Sequence, residues 1–379
     1  MKLVDLNGQY HDFYAPSFVV RLDGADIMRG HQVAVSQVEV DLKLGAASTF
    51  SFTLTDCYSH EKHKFLTGSG GDLLELLTFG AKIEIKMGYR DVKDEKSTPL
   101  MVTGLVTEIS TNFPEGGSPE LSVSGMDNGF LLTIGKNSKS WKSGKDSAVA
   151  SEIAAFHHLG TVIDPTEEEH PQVEQSQISD WDFLKKLADR NKNYELFVDQ
   201  TNQLHFAKRN NSASDVVELV YGQGLLSFRP EANLANQISR VEVYGWDRNN
   251  AKPIVGIAKA GEESGRSGRS AAQHLESLVR DAKKRPTLRL RQPVFTQSEA
   301  NQRAQAALDE HARKFLTGEG ESIGLPLLRP DVNVKLSELA STFSKVYYVR
   351  EATHKIDSNG YRTRFKVEEP GSKKKGAVS

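Results

Sequence analysis

Apolar and polar residues alternate through much of this chain, in runs too short to hold more than one strand each. Val38, Val40, Leu42 and Leu44 are separated by Glu39, Asp41 and Lys43. Phe50, Phe52 and Leu54 alternate with Ser51, Thr53 and Thr55, and Ile83, Ile85 and Met87 with Glu84 and Lys86. Leu121 and Val123 continue the habit. A period of two puts one side of each segment against a core and the other in water, which is the pattern of half-buried antiparallel strands. Many short strands leave many edges, and closing a sheet into a barrel removes them. The first third is therefore expected to be a β-barrel. Its RDVKDEK run at 90–96 reads as a solvated hairpin tip and its TGSGG run at 67–71 as a turn.

The same elements recur later, in the same order. Ser36-Gln37-Val38-Glu39-Val40 resembles Ser239-Arg240-Val241-Glu242-Val243. Residues 81–86 (AKIEIK) have a counterpart in 331–335 (DVNVK). Val106-Thr107-Glu108 is followed by Gly117, and Val349-Arg350-Glu351 by Gly360, each glycine nine residues past the glutamate. An alternating strand comes next in both copies, Leu121/Val123 and Phe365/Val367. No single match is specific; three in one order predict a duplicated barrel.

Between the copies the pattern changes. From Ser147 the apolar positions Val149, Ile153 and Phe156 fall at helical spacing, with Gly160 to end the helix. A polar, acidic loop follows at 167–170. Ser179 precedes Trp181, Leu184, Leu187 and Ala188, a second helical face with Ser179 as its cap and Asp182 three residues beyond it. Residues 194–198 and 204–206 then read as a hairpin. Later, GEESGRSGRS at 261–270 reads as a linker, and Thr296 with Glu299 opens a helix whose stripe is Ala300, Ala304, Ala307, Leu308 and Phe315.

The expected fold class is mainly β with an α+β insertion: two related tube-like antiparallel β-barrel domains plus a small mixed α/β domain. The first barrel spans 1–128 and the mixed domain 129–212. The second, split barrel takes 213–248 and 287–369, interrupted by an insertion or linker at 249–286. Residues 370–379 form a flexible basic tail.

Composition narrows the function. Of 379 residues, 48 are Lys or Arg and 50 are Asp or Glu, a net charge of -2. A chain so balanced lacks the basic face that displaces counterions from nucleic acid, so no nucleic-acid specificity is expected. The single cysteine, Cys57, excludes an intramolecular disulfide framework and a multi-cysteine zinc module. The N-terminus MKLVDLNGQYHD has no signal-peptide run, and no stretch reaches the ~20 apolar residues of a membrane span. Synthesis and folding in a reducing cytoplasm are expected.

Chemistry-like patterns are present but poorly placed. Gly320-Glu321-Ser322-Ile323-Gly324 matches G-x-S-x-G, a motif that needs a strand before it and a helix after it. Here Pro326 and Pro330 follow, so Ser322 is expected on a strand. His60 and His63 are three apart in a polar loop. His157-His158 stands at a helix end, Glu167 to His170 reads as a solvated loop, and Gly68, Gly70 and Gly71 fit no phosphate loop. Trp181 and Phe183 read as helix core. No catalytic residue, cofactor site or metal site is expected.

With these features in order, the chain resembles the hub proteins of contractile phage tails and injection systems: the phage late-control D proteins, the T4-like baseplate hub and the N-terminal half of VgrG. The resemblance runs over about residues 15–369. It rests on SDWDFLKKLA at 179–188, on the Tyr194 to Phe206 hairpin, on the Ala-rich helix and on the Val349 to Val367 segment. It implies a structural homotrimer without enzymatic activity. Such a trimer presents six similar barrels and acts as a symmetry adaptor between a hexameric inner tube, or tube-initiator protein, and a trimeric spike. Other baseplate proteins would surround it, in a phage tail or injection-system particle. The chain ends ten residues after Glu369, so the spike is expected on a separate polypeptide. Lys373, Lys374 and Lys375 are the candidate partner-binding residues. Two rival functions remain: a cell-wall carbohydrate-binding module in 129–212, which needs Trp181 exposed, and a hydrolase using Ser322.

Overall fold

The computed structural model describes residues 1–90, 96–210, 217–247, 250–264 and 270–369. In the first third the alternating runs become strands. The elements are β1 (Pro16–Leu22), β2 (Ala25–Asp26), α1 (Ile27–Gly30), β3 (Ala34–Lys43), β4 (Thr49–Thr55), β5 (Tyr58–Ser59), β6 (Lys64–Phe65), α2 (Leu73–Leu76), β7 (Lys82–Tyr89), β8 (Leu100–Asn112) and β9 (Glu120–Asp127). Six of them lie in the order β1-β7-β8-β9-β4-β3, every neighbouring pair antiparallel. Val38, Val40, Phe50, Phe52, Leu54, Ile83, Ile85 and Leu121 are at most 2% exposed, so the period of two reports burial faithfully here. β1 and β3 share no ladder, so the six strands form an open sheet where a closed barrel was expected. α1 and α2 add Ile27 and Leu73 to its core.

The middle of the chain comprises α3 (Phe130–Thr133), β10 (Asn137–Lys145), α4 (Asp146–Phe156), β11 (Gly160–Ile163), β12 (Glu169–Ile178), α5 (Asp180–Arg190), β13 (Tyr194–Val198) and β14 (Gln203–Lys208). β14 pairs antiparallel with β13 and parallel with β11, while β10 pairs with β12. α5 starts as expected: the Asp182 amide donates to the Ser179 hydroxyl at 3.1 Å. Trp181, Leu184, Leu187 and Ala188 pack with Val149, Ile153, Leu196, Leu204 and Phe206 in a core separate from that of the large sheet. Phe156, expected on the apolar face of α4, is its last residue and 75% exposed, because the helix ends there.

The remainder holds β15 (Val217–Tyr221), β16 (Gly224–Ala232), β17 (Arg240–Asp247), β18 (Lys252–Lys259), α6 (Ala271–Leu278), β19 (Thr287–Arg291), α7 (Gln297–Arg313), β20 (Leu316–Ile323), β21 (Asn333–Ser337), β22 (Val346–Asp357) and β23 (Gly360–Glu368). Six of these run β22-β21-β15-β16-β20-β23, and β23 pairs back onto β22, closing a barrel.

Two expectations are corrected here. β17, read as the repeat of β3, lies outside the barrel. It forms a three-stranded sheet with β18 and β19, backed by α7 over a small core of Val241, Val243, Ile254, Ala300, Ala304 and Leu308. The SQVEV/SRVEV match was a match of alternation, which any half-buried strand shares. Residues 287–313, expected in the same barrel, likewise lie outside it as β19 and α7, while 249–286, expected as an insertion or linker, contain β18 and α6. Gly256 permits the close seat of α7: a Cβ there would stand 2.1 Å from the Ala300 carbonyl carbon.

The duplication itself is carried by topology. In chain order, β1, β3, β4, β7, β8 and β9 occupy the same spatial sequence as β15, β16, β20, β21, β22 and β23. Directions agree except at the first strand, since β1 is antiparallel to β7 but β15 is parallel to β21. A final ladder, β3 to β22, joins the two sets, with β2 at the edge, into one thirteen-stranded sheet.

Candidate functional site

The β3–β22 ladder is where the two halves meet. Its register sets Val38 against Ile356, Val40 against His354 and Leu42 against Ala352 on the core side. On the solvent side Glu39 faces Lys355, Asp41 faces Thr353 and Lys43 faces Glu351. The Thr353 hydroxyl donates to Asp41 Oδ1 at 3.0 Å, and Lys43 Nζ lies 2.6 Å from Asp41 Oδ2. These pairs continue across the barrel as Lys366–Glu351 at 2.8 Å and Arg364–Glu321 at 3.4 Å. Together they line an open groove of about 440 Å3. Charges of both signs alternate along it, so it favours neither an anion nor a cation, and exposed pairs of this kind contribute little stability each.

Beneath the joint the polar groups are buried and fixed. His354 is wholly enclosed, its ring nitrogens within 2.9 Å of the Tyr361 hydroxyl and of the Leu328 carbonyl. Burial, aided by the nearby Arg329 charge, pushes its pKa down to about 3, so the ring is neutral. The Tyr89 hydroxyl of the first set donates to the Gly324 carbonyl of the second at 2.7 Å.

Two anchors hold the mixed unit to this frame, and a third holds the β17–β19 sheet, through α7, to the mixed unit. Gly45, in the turn after β3, donates its amide to the Leu196 carbonyl at 2.7 Å and accepts from Trp181 Nε1 at 3.3 Å. Arg209, fully buried, pairs with Glu195 and Glu368 and lies 4.0 Å from the Tyr348 ring centre. Arg350 also reaches Glu368, at 3.2 Å. Burial alone would raise the Glu368 carboxyl, but Arg209 and Arg350 hold it below its usual range. The third anchor is His170, 3.6 Å from Asp146 and 3.4 Å from Glu299 on α7. Arg190 binds the same Asp146, and Arg303 binds Glu299 at 2.6 Å.

The sequence-derived candidates fall as follows. Lys373, Lys374 and Lys375 lie outside the described residues. Ser322 sits on β20 with no exposure, its hydroxyl donating to the Ile323 carbonyl at 2.8 Å, so it has neither the sharp turn nor the access of a nucleophile. Trp181 is 4% exposed, which removes the aromatic platform that the carbohydrate-binding reading required. Gly71 closes a turn on Thr67, its amide 2.9 Å from the hydroxyl. His60 and His63 are exposed, as expected. His170, expected in a solvated loop, is instead buried between two carboxylates. Among the described residues no group of His, Cys, Asp or Glu is placed to hold a metal ion, and no helix is long and apolar enough to cross a membrane.

Comparison with known proteins places this architecture. The model of the Alg8 N-terminal domain family matches residues 14–358. The chain belongs to that family. The match takes in the first six-stranded set, the mixed unit, the α7 sheet and the second set up to β22. A search of curated proteins gave no match. Among solved structures, a tail protein from Neisseria meningitidis MC58 superposes with a TM-score of 0.68 at 14% identity, over 94% of this chain and 98% of that one. The 43 kDa tail protein of prophage MuSo2 from Shewanella oneidensis gives 0.69 at 14% identity, over 94% and 99%. An E. coli protein described as a component of the type VI secretion system gives 0.53 at 12% identity, over 95% and 79%. At these identities the shared property is the fold, which this chain has in common with those tail and type VI secretion proteins.

Proposed function

We propose that the chain is a structural hub of a contractile tail or injection-system baseplate, acting as a homotrimeric adaptor between a six-fold inner tube and a three-fold spike. The observation that carries this reading is the duplicated strand order joined by the β3–β22 ladder. One chain thereby presents two equivalent units, and three chains present six, which is the count a ring needs to meet six-fold and three-fold partners. The tail and secretion-system relatives support a structural role in such a particle, built from burial and shape rather than catalysis.

In this reading residues 1–128 form the first ring unit and β15, β16 and β20 to β23 form the second. Residues 129–212 and the β17–β19 sheet, held by Arg209 and His170, stand outside the ring and meet other baseplate components. Sedimentation equilibrium over a concentration range, alone and with the spike and tube proteins encoded beside it, tests the proposal. A trimer, alone or on adding the spike, is expected; a monomer with every neighbour at tens of micromolar overturns it.

A further inference from the structure

The β3–β22 ladder joins the second strand of one six-strand set to the fifth strand of the other. Such a joint is heterologous: its two sides are different surfaces, so it leaves one of each unused on the chain. The unused second strand is β16, and the unused fifth strand is β8. Both carry the free edge that a repeat of the joint requires. β16 pairs with β20 throughout but with β15 only at Gly224 and Leu225. β8 pairs with β7 only up to Leu105 and with β9 beyond it. Among the described residues no strand covers the outer edge of 226–232 or that of 107–112.

The equivalence extends to single residues. β8 and β22 break register at the same point against the hairpin strand that follows, between Val106 and Glu108 and between Val349 and Glu351. Tracing the ladders outward from there sets Glu108, Ile109, Ser110 and Thr111 in the places of Glu351, Ala352, Thr353 and His354. The β4 and β20 ladders set Phe228, Arg229, Pro230, Glu231 and Ala232 in the places of Val38, Glu39, Val40, Asp41 and Leu42.

We infer that β16 of one chain adds antiparallel to the distal half of β8 of the next, in the register of the internal joint. Ala232 then faces Ile109, Pro230 faces Thr111 and Phe228 faces Phe113 on the core side. Glu231 faces Ser110, repeating the carboxylate–hydroxyl contact of Asp41 with Thr353. Burial agrees. Val38 and Ala352, inside the internal joint, are 0% exposed, whereas Phe113 and Leu226 on the two free edges are 59% and 41% exposed. The Asn233 amide donates to the Phe315 carbonyl, so by alternation Phe228, Pro230 and Ala232 turn their backbone groups to the free edge. Pro230 brings no N–H there, which discourages pairing with an arbitrary strand while leaving its carbonyl to accept.

This inference rests on the hub reading, and a paired-cysteine experiment separates the two. Ser110 and Glu231 form a non-hydrogen-bonded pair in the inferred register, where Cα atoms stand roughly 4.5 Å apart, within disulfide reach. Native Cys57 is buried and does not compete. The full chain carrying Ser110→Cys and Glu231→Cys is oxidised with oxidised glutathione as electron acceptor, beside both single variants and a Ser110→Cys/Glu319→Cys control on the next strand. Covalent dimers and trimers at roughly tenfold the control yield are expected, through the high effective concentration of facing thiols. Covalent chains running past the trimer support the joint and overturn three-fold closure. A sedimenting trimer without the cross-link overturns the joint and leaves the hub reading standing. Neither trimer nor cross-link overturns both.

Discussion

Val106 and Val349 hold the same position in the two halves of the chain. Val106 donates its amide to the Ala81 carbonyl at 3.0 Å and accepts from the Gly80 amide at 2.8 Å; Val349 does the same with Val332 at 2.9 Å and Asp331 at 3.1 Å. Each is followed by a bulge that turns the rest of its strand outward, and in β22 that outward part is what β3 occupies.

Thr111→Pro removes an N–H that the alternation places on the free edge of β8, away from β9. It is expected to leave the unfolding free energy within about 0.5 kcal/mol of wild type, as for a surface change, and to weaken trimerisation. Urea unfolding followed by sedimentation checks both halves of that statement.

The two sets are packed with the same device on different strands. The Phe50 ring lies over Gly125, where a Cβ would stand 2.3 Å from its Cζ, and the Phe365 ring over Gly320, where the gap would be 2.4 Å. Gly320→Ala is expected to cost about 1–3 kcal/mol by overpacking, read as a lower urea midpoint.

Arg209→Met leaves Glu195 and Glu368 buried without their shared cation. A loss of about 3–5 kcal/mol is expected, with Arg209→Lys recovering only part of it because an ammonium cannot present two parallel donors. Thermal unfolding of the three proteins at one pH decides this.

His170 gives a pH dependence. Burial alone would lower its pKa, but Asp146 and Glu299 raise it above the usual histidine value, with Arg190 opposing them. Its contribution is therefore complete below about pH 6.5, the unfolded value, and is lost as pH rises through the higher folded value. Asp146 works the other way: burial would raise it, yet Arg190 and His170 hold it at about 2, so its share is complete above about pH 4, the unfolded value, and is lost as pH falls through the lower folded value. Stability is expected to decline from pH 6 to 8 in the wild type and to be flatter over that range in His170→Gln, measured by denaturant midpoints.

The strands of the large sheet were legible because each carries its own alternation, and Ser179 and Thr296 announced their helices through local hydrogen bonds. The joint was not legible in the same way: β3 and β22 are some three hundred residues apart, and nothing in either states its partner. β10 (NSKSWKSGK) and β12 (EHPQVEQSQI) were missed because polar residues fill both their faces. His170 was misread for that reason, since its burial comes from α7 arriving over β12 and not from its neighbours in sequence. Arg209 opens the polar run RNNSASD at 209–215, and only the fold brings Glu368 to it.

The β3–β22 ladder has a consequence for assembly by mass action. In a ring of six such units built from three chains, half of the joints are already made when each chain folds. Ring formation then scales with the third power of concentration instead of the sixth, and the rotational freedom lost on closure is that of three bodies. The covalent link also keeps the two units at equal number although they differ in sequence and in the direction of their first strand, β15 running parallel to β21 where β1 runs antiparallel to β7.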